Sequence, residues 1–331
     1  MLESKKFMLG KVDSTFFIPD KITYFKLKRK SKIYQGIRVQ YSRIFGPYIG
    51  GVILSQDLDT LIDLAIVSFL RNTLFNLPFG SAIGYINAPI TEEKIELINQ
   101  YIQYVRSNLG IDILLPDEGT MDLADVFYAE LSKLDEKYST NILFYDNLSY
   151  AIGIITLIKF ALKGNFNVKI GIFGNNPANN ELFKLLESLG SEVNYANLSS
   201  ETDVLVITSG KKIINTFNEN IIRAKILVEG SDLAITYDAY NRLKKRGIIV
   251  IPDILSNVGK ILGVYLNWVN FKIGKIKFNE DEVIRFIYER INKVLRDVIE
   301  ENKKYNDLKM SCVSLALTKI SNTYKRTYGN L

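Results

Sequence analysis

The chain has 331 residues, 47% hydrophobic and 24% charged, with 42 Lys+Arg against 36 Asp+Glu and a net charge of +6. That length allows two domains, the balance is ordinary for a folded soluble chain, and the mild basic excess does not call for nucleic acid. The single cysteine, Cys312, excludes an intramolecular disulfide framework, and the absence of histidine removes the commonest general base, Ser-His triads and the usual zinc sites.

No metal is therefore expected, and any chemistry must rest on carboxylates, lysines, tyrosines or a cofactor. The opening segment MLESKKFMLGKV does not resemble a signal peptide. The longest apolar run, AIGIITLIKFAL (151–162), is broken by Lys159 and is too short to span a bilayer. The expectation is a cytoplasmic protein with no membrane partner.

In chain order, ITYFKLKRKSKIYQGIRVQY (22–41) alternates apolar and basic residues on either side of RKS and predicts a β-hairpin with one polar face. From Lys21 to Gln56 there are eight basic residues and no acid: Lys21, Lys26, Lys28, Arg29, Lys30, Lys32, Arg38 and Arg43. They read as a solvated strand face, or as an edge kept from aggregating. LDTLIDLAIVSFLRNTLFNL (58–77) has helical periodicity and stops at Pro78. PFGSAIGYINAP (78–89) has the composition of a loop that lets a ligand approach the backbone, yet its centre, Ile83, offers neither charge nor hydrogen bond. A second helix follows over 91–110, with Glu92 and Glu93 in the first turn and Gly110 as the cap. DILLPDEGT (112–120) predicts a short strand into a turn, and MDLADVFYAELSKL (121–134) a helix.

The second half changes rhythm. Apolar strand patterns at KIGIFG (169–174), SEVNYA (191–196), DVLVITSG (203–210), AKILVEG (224–230) and IIVIPDIL (248–255) are interleaved with helical segments. That alternation predicts βαβ units, a parallel sheet and a Rossmann-like domain. Two long helices, 279–306 and 310–328, close the chain.

Several motifs in order carry a resemblance: GIRVQYSRIFGPYIGGV, LPFGSAIGYI, DILLPDEGT, AKILVEG, RGIIVIPDILSNVG and YLNW. Together they resemble the glutamate/leucine/phenylalanine/valine dehydrogenase family from about residue 34 to the end. The resemblance implies an α/β protein of two domains: an N-terminal α/β substrate and oligomerisation domain (1–147) and a Rossmann-like nucleotide-binding domain (148–260). The C-terminal helices (261–331) are expected to return to the first domain. The family's reaction is reversible oxidative deamination of an amino acid with NAD or NADP.

Compared residue by residue, this chain departs from the family pattern. The family's P-F-G segment carries a catalytic lysine where this chain has Ile83. An isoleucine can neither take a proton nor stabilise an anion. GPYIGG (46–51) has Ile49 in place of a second lysine, which in the family helps bind substrate carboxylate. Arg71 stands where the family's helix ends in a lysine, keeping the charge but not its shape. Val264 replaces a hydroxyl near YLNW, whereas Gly80 is kept. Asp117 matches the family's catalytic aspartate, as a proton carrier or as a turn residue.

The cofactor side is altered too. The family's G-x-G-x-x-G is reduced to Gly174, Asn175, Asn176 and Pro177. Asn176 is expected to cap a helix that starts at Pro177, and so to occupy donors that a phosphate needs. No acid follows the second strand until Glu201, where one should meet the ribose hydroxyls. Ile152 takes the threonine position of an A-T-G motif, and Asn257 is a further candidate on the nicotinamide side.

Three readings follow. In the first the chain is a catalytically degenerate member that binds no cofactor. It then serves as a regulatory or structural subunit, in a homo-oligomer or a hetero-oligomer with an active relative. In the second it is a working NAD(P)-dependent oxidoreductase with a shifted substrate, using Asp117, Arg71 and Asn257 with Lys260 or Lys211. In the third it is a small-ligand sensor.

Overall fold

A computed structural model describes residues 18–55, 60–89, 94–110, 112–127, 146–273 and 278–328. The chain divides into two compact units: Met1–Leu143 with Ala316–Leu331, and Phe144–Leu315.

The first unit is built on a five-stranded mixed sheet. Its strands are β1 (Lys21–Arg29), β2 (Lys32–Tyr41), β3 (Ile49–Ser55), β4 (Ser81–Asn87) and β5 (Ile113–Pro116), in the order β1-β2-β4-β3-β5. β1 and β2 form the expected hairpin, Arg29 opposite Lys32, with Lys30 at φ 50° in the turn. Helices α1 (Leu61–Leu74) and α2 (Lys94–Leu109) cover the two faces. Ser81 Oγ donates to Ala65 O of α1 at 2.6 Å, which fixes α1 to one face. Tyr101 of α2 meets Gly84 on the other, where Phe25, Leu27, Val52, Leu54 and Ile86 form the core.

Two expectations change here. Residues 78–89 are not an open loop: Ser81–Asn87 is the middle strand of the sheet, paired with β2 on one side and β3 on the other. The glycine signal has a packing cause, since a Cβ on Gly84 would lie 2.4 Å from the Tyr101 hydroxyl. Arg38 is also not on a solvated face. It is fully buried and its Nε pairs with Asp112 Oδ2 at 3.0 Å. The first turn expected to carry Glu92 and Glu93, and the helix beyond residue 127, lie outside the described residues.

The second unit carries an all-parallel sheet. Its strands are β6 (Lys169–Phe173), β7 (Glu192–Tyr195), β8 (Val204–Ile207), β9 (Ile226–Glu229) and β10 (Ile249–Ile251), in the order β10-β9-β8-β6-β7. This is the expected Rossmann-like arrangement, with α3 (Asp146–Ala161), α4 (Asn179–Ser188) and α5 (Tyr237–Lys245) among its helices. IIVIPDIL is a strand only to Ile251. Pro252 supplies no N–H to continue the ladder, and a short helix α6 (Asp253–Ser256) begins behind it. Three longer helices follow: α7 (Gly259–Ile273), α8 (Glu280–Tyr305) and α9 (Leu308–Tyr328). Helix α8 starts in a capping box between Asn279 and Glu282. Among the described residues no helix is long and apolar enough to cross a membrane.

Helices α3 and α7 touch backbone to backbone. A Cβ on Gly259 would lie 2.1 Å from Ser149 O, and one on Gly153 would lie 2.8 Å from the Gly259 Cα. Backbone cannot yield as a flexible side chain does. Gly259→Ala should therefore cost about 1–3 kcal/mol by overpacking. An unchanged urea midpoint for that variant would show that the crossing is looser than described.

Candidate functional site

The family-aligned positions of the first unit gather on one face of its sheet. Val39 pairs with Ile83, and Gly84 with Val52. Strand alternation then sets Ile83, Ile49 and Gly51 on the same face, the one that α1 covers. Ile49 is 1% exposed and Ile83 3%. Arg71 sits in the last turn of α1 and is buried. Gly80 O accepts a hydrogen bond from the Asn72 side chain at 2.9 Å.

Asp117 belongs to this face as well. Its carboxylate lies over Gly51, where a Cβ would stand 2.1 Å from Oδ2. The turn around it is self-contained. Asp117 Oδ1 accepts the Glu118 N–H at 2.7 Å, the Asp117 N–H donates to Thr120 Oγ1 at 2.9 Å, and the Thr120 hydroxyl donates to Val52 O at 2.7 Å. Among the positions singled out from the sequence, Asp117 carries a carboxylate and Arg71 a guanidinium, while 49 and 83 carry apolar isoleucines.

On the opposite face, Arg38 and Asp112 are joined by Gln40, whose Nε2 donates to both carboxylate oxygens of Asp112 at 3.0 and 3.2 Å. Arg38 NH1 reaches Gly51 O at 3.4 Å. Sequence reading missed this network. Asp112 lies 74 residues from Arg38 in sequence, and Arg38 alternates with apolar residues as a surface arginine would.

In the second unit, the segment after β6 turns its donors inward. Gly174 holds φ +111°, and a Cβ there would meet Ser209 Oγ at 2.6 Å. The Asn175 N–H donates to that same Ser209 hydroxyl at 2.8 Å. Asn176 Nδ2 donates to Thr208 O at 3.2 Å, and its Oδ1 accepts the Ala178 N–H at 2.9 Å. Asn179 Nδ2 closes the loop on Gly174 O at 2.9 Å.

The expected helix start is thus displaced. Helix α4 begins at Asn179 with Ala178 at the cap position, not at Pro177 behind Asn176. Asn176 spends its side chain on an Asx turn one step earlier. After β7, the Asn197 N–H donates to Ser200 Oγ at 2.9 Å, and Glu201 is exposed.

The other second-unit candidates are placed as follows. Ile152, half-buried on α3, has its carbonyl taken by the Thr156 hydroxyl at 2.7 Å. Asn257 ends α6 and donates its side-chain amide to Asp232 Oδ1 at 3.0 Å. Val264 is buried on α7. Lys211 and Lys260 are both half-buried.

One buried charge cluster went unread, although both its acids lie in motifs quoted above. Glu229 ends β9 and Asp253 starts α6. Lys309, in the first turn of α9, stands 3.2 Å from Glu229 Oε2 and 3.1 Å from Asp253 Oδ1. An acid at the end of an apolar strand run was the available signal. Among the described residues, no group of three or more Cys, Asp or Glu is placed to hold a metal ion.

Residues 175–327 match the family model for Glutamate/Leucine/Phenylalanine/Valine dehydrogenase, and residues 19–125 match that for the Glu/Leu/Phe/Val dehydrogenase dimerisation domain. The NADP-specific glutamate dehydrogenase of Saccharolobus shibatae is 28% identical over 356 residues, covering 87% of this chain and 83% of that one. The NAD-specific glutamate dehydrogenase of Staphylococcus aureus is 25% identical, covering 82% and 81%. Among solved structures, the hetero-hexameric glutamate dehydrogenase of Thermus thermophilus shares the fold with a TM-score of 0.84 at 20% identity, covering 97% and 94%.

Proposed function

This chain belongs to the glutamate/leucine/phenylalanine/valine dehydrogenase family, and we propose that it has left that family's hydride chemistry and acts as a structural or regulatory subunit of an oligomer. The observation that carries this reading is Ile83. It occupies the position of the resemblance's catalytic lysine, at the centre of a paired strand and almost fully buried. Ile49 repeats the loss on the same face. No proton can be taken from water at either position.

The cofactor side supports the same reading. A pyrophosphate is held by backbone N–H groups that point at it. Here the Asn175 and Ala178 N–H groups are bonded within the protein, and Ser209 lies against Gly174. The first acid after β7 is Glu201, six residues beyond the strand end and exposed. These residues do not fit a dinucleotide, so no step through one is assigned. Asp117 is then a turn residue, and Arg71 a buried helix-end cation.

For assembly, support comes from the dimerisation-domain match over residues 19–125. The Thermus thermophilus neighbour is itself a hetero-hexamer. A homo-oligomer and a mixed oligomer with an active relative are both compatible with that support. A cytoplasmic location is part of the same proposal.

The test is calorimetric titration with NADH and NADPH, alongside an assay of glutamate turnover with both oxidised cofactors. The expected result is no heat at millimolar nucleotide and no turnover above the uncatalysed background. Micromolar binding, near about −8 kcal/mol, with measurable deamination would overturn the proposal in favour of a working enzyme.

A further inference from the structure

Helix α9 is divided between the two units: residues 308–315 belong to the second and the rest of the helix to the first. Its start is held at two points. At one, the Lys309 ammonium bridges Glu229, at the end of β9, and Asp253, at the start of α6. At the other, Asp307 accepts the Met310 N–H at 2.9 Å and takes the Tyr240 hydroxyl and the Lys244 ammonium from α5. Cys312, one turn beyond Lys309, is fully buried in the field of Asp253, Asp307 and Lys309.

The two points differ in charge. Asp307 is paired with Lys244, whereas Glu229 and Asp253 share Lys309. With all three groups ionised, that buried triad carries a net negative charge. Backbone donors are already engaged: Glu229 takes the Ile235 and Asp253 N–H groups at 3.0 and 3.3 Å, and Asp253 takes those of Leu233 and Ile254 at 2.9 Å each. Solvent does not reach the carboxylates. The surplus charge is therefore relieved by a proton or by opening. Strand β9 is paired on both sides in the sheet, and Ser256 of α6 donates to Glu229 O. The element that can withdraw is α9.

We infer that the triad is a proton-controlled clamp on α9: a proton on the Glu229–Asp253 pair keeps the first turns of the helix docked, and its loss lets them open. Burial pushes the Glu229 carboxyl up to about 7, with Lys309 opposing and Asp253 adding. A folded-state value raised in this way stabilises the closed helix at lower pH, and the stabilisation is lost as pH rises through about 7. Tyr240 and Cys312, both pushed up by burial, keep their protons over that range. The clamp operates whether or not dehydrogenase chemistry survives.

Cys312 is the single cysteine of the chain, so labelling by an aromatic disulfide reagent reports the opening of α9. The full chain and Glu229→Gln, which keeps an acceptor for Ile235, are labelled at about pH 6 and about pH 8. Each rate is divided by that of the urea-unfolded chain at the same pH. Amide exchange of β8, in the middle of the sheet, marks unfolding of the whole unit. In the wild type the relative labelling rate should rise about ten-fold between the two pH values, with Cys312 opening more often than β8. Glu229→Gln should show no such rise. A flat wild-type profile would by itself overturn the clamp. So would the same rise in Glu229→Gln, or Cys312 opening no more often than β8, which would make α9 part of whole-unit unfolding.

Discussion

Lys309→Met should lower the stability of the second unit by about 3–5 kcal/mol, because it leaves two buried carboxylates without their cation. Glu229 and Asp253 are both fully buried, and Lys309 is nearly so. The carboxylates also organise backbone. Glu229 Oε1 accepts the Ile235 N–H at 3.0 Å, and Asp253 Oδ2 accepts the Leu233 N–H at 2.9 Å. Tyr240 faces the same cluster, 5.7 Å below the Lys309 ammonium, and its hydroxyl donates to Asp307. Lys244 pairs with Asp307 from the other side.

One lysine cannot neutralise two carboxylates, and burial pushes the Glu229 carboxyl up to about 7, with Lys309 opposing the shift and Asp253 adding to it. A folded-state value above the ordinary one means that the folded protein holds this proton more tightly than the unfolded chain does. The stabilisation is then present at low pH and is lost as pH rises through about 7. Urea midpoints between about pH 5 and pH 8 should fall for the wild type. Glu229→Gln, which keeps an acceptor for Ile235, should flatten that slope. In Lys309→Met the loss should shrink on acidification, as both carboxylates gain protons. A variant that unfolds at the wild-type midpoint at neutral pH would show that the triad is not the clamp described here.

The second large effect concerns Arg38. Asp112→Ala should cost about 3–5 kcal/mol, since it strands a guanidinium with no access to water. The ion pair is 3.0 Å long with side chains 0% and 1% exposed. It ties β2 to the start of β5 across the two strands that separate them in the sheet. The double change Arg38→Met with Asp112→Leu should recover most of the loss, because apolar side chains of similar volume replace a pair whose desolvation is costly. The cycle isolates the coupling between the two residues. If the double variant is as unstable as the single, packing rather than stranded charge explains the loss.

How far these features were legible depends on their range in sequence. The hairpin at 22–41 follows from alternation and a polar turn, and the structure has it in register. The βαβ rhythm after residue 165 is equally local, and the parallel sheet follows. Residues 78–89 misled because proline, glycine and serine usually mark loops. Here the missing Cβ of Gly84 makes room for Tyr101, a residue in another element. Asn176 misled for a smaller reason: its side chain had two backbone partners within reach, and it took the N–H of Ala178 and the carbonyl of Thr208.

The sequence by itself determined the family, the two-domain α/β class and the presence of isoleucine at positions 49 and 83. Those depend on residue identity and on the order of motifs along the chain. Only the tertiary structure decided that Arg38 is buried, that Lys309 joins Glu229 to Asp253, and that the donors around Gly174 are taken by Ser209 and Asn176. Each of these is a contact between segments whose mutual placement depends on sheet order and helix packing. No periodicity reports that placement, because a charged side chain reads the same in sequence whether water or a buried counter-charge receives it.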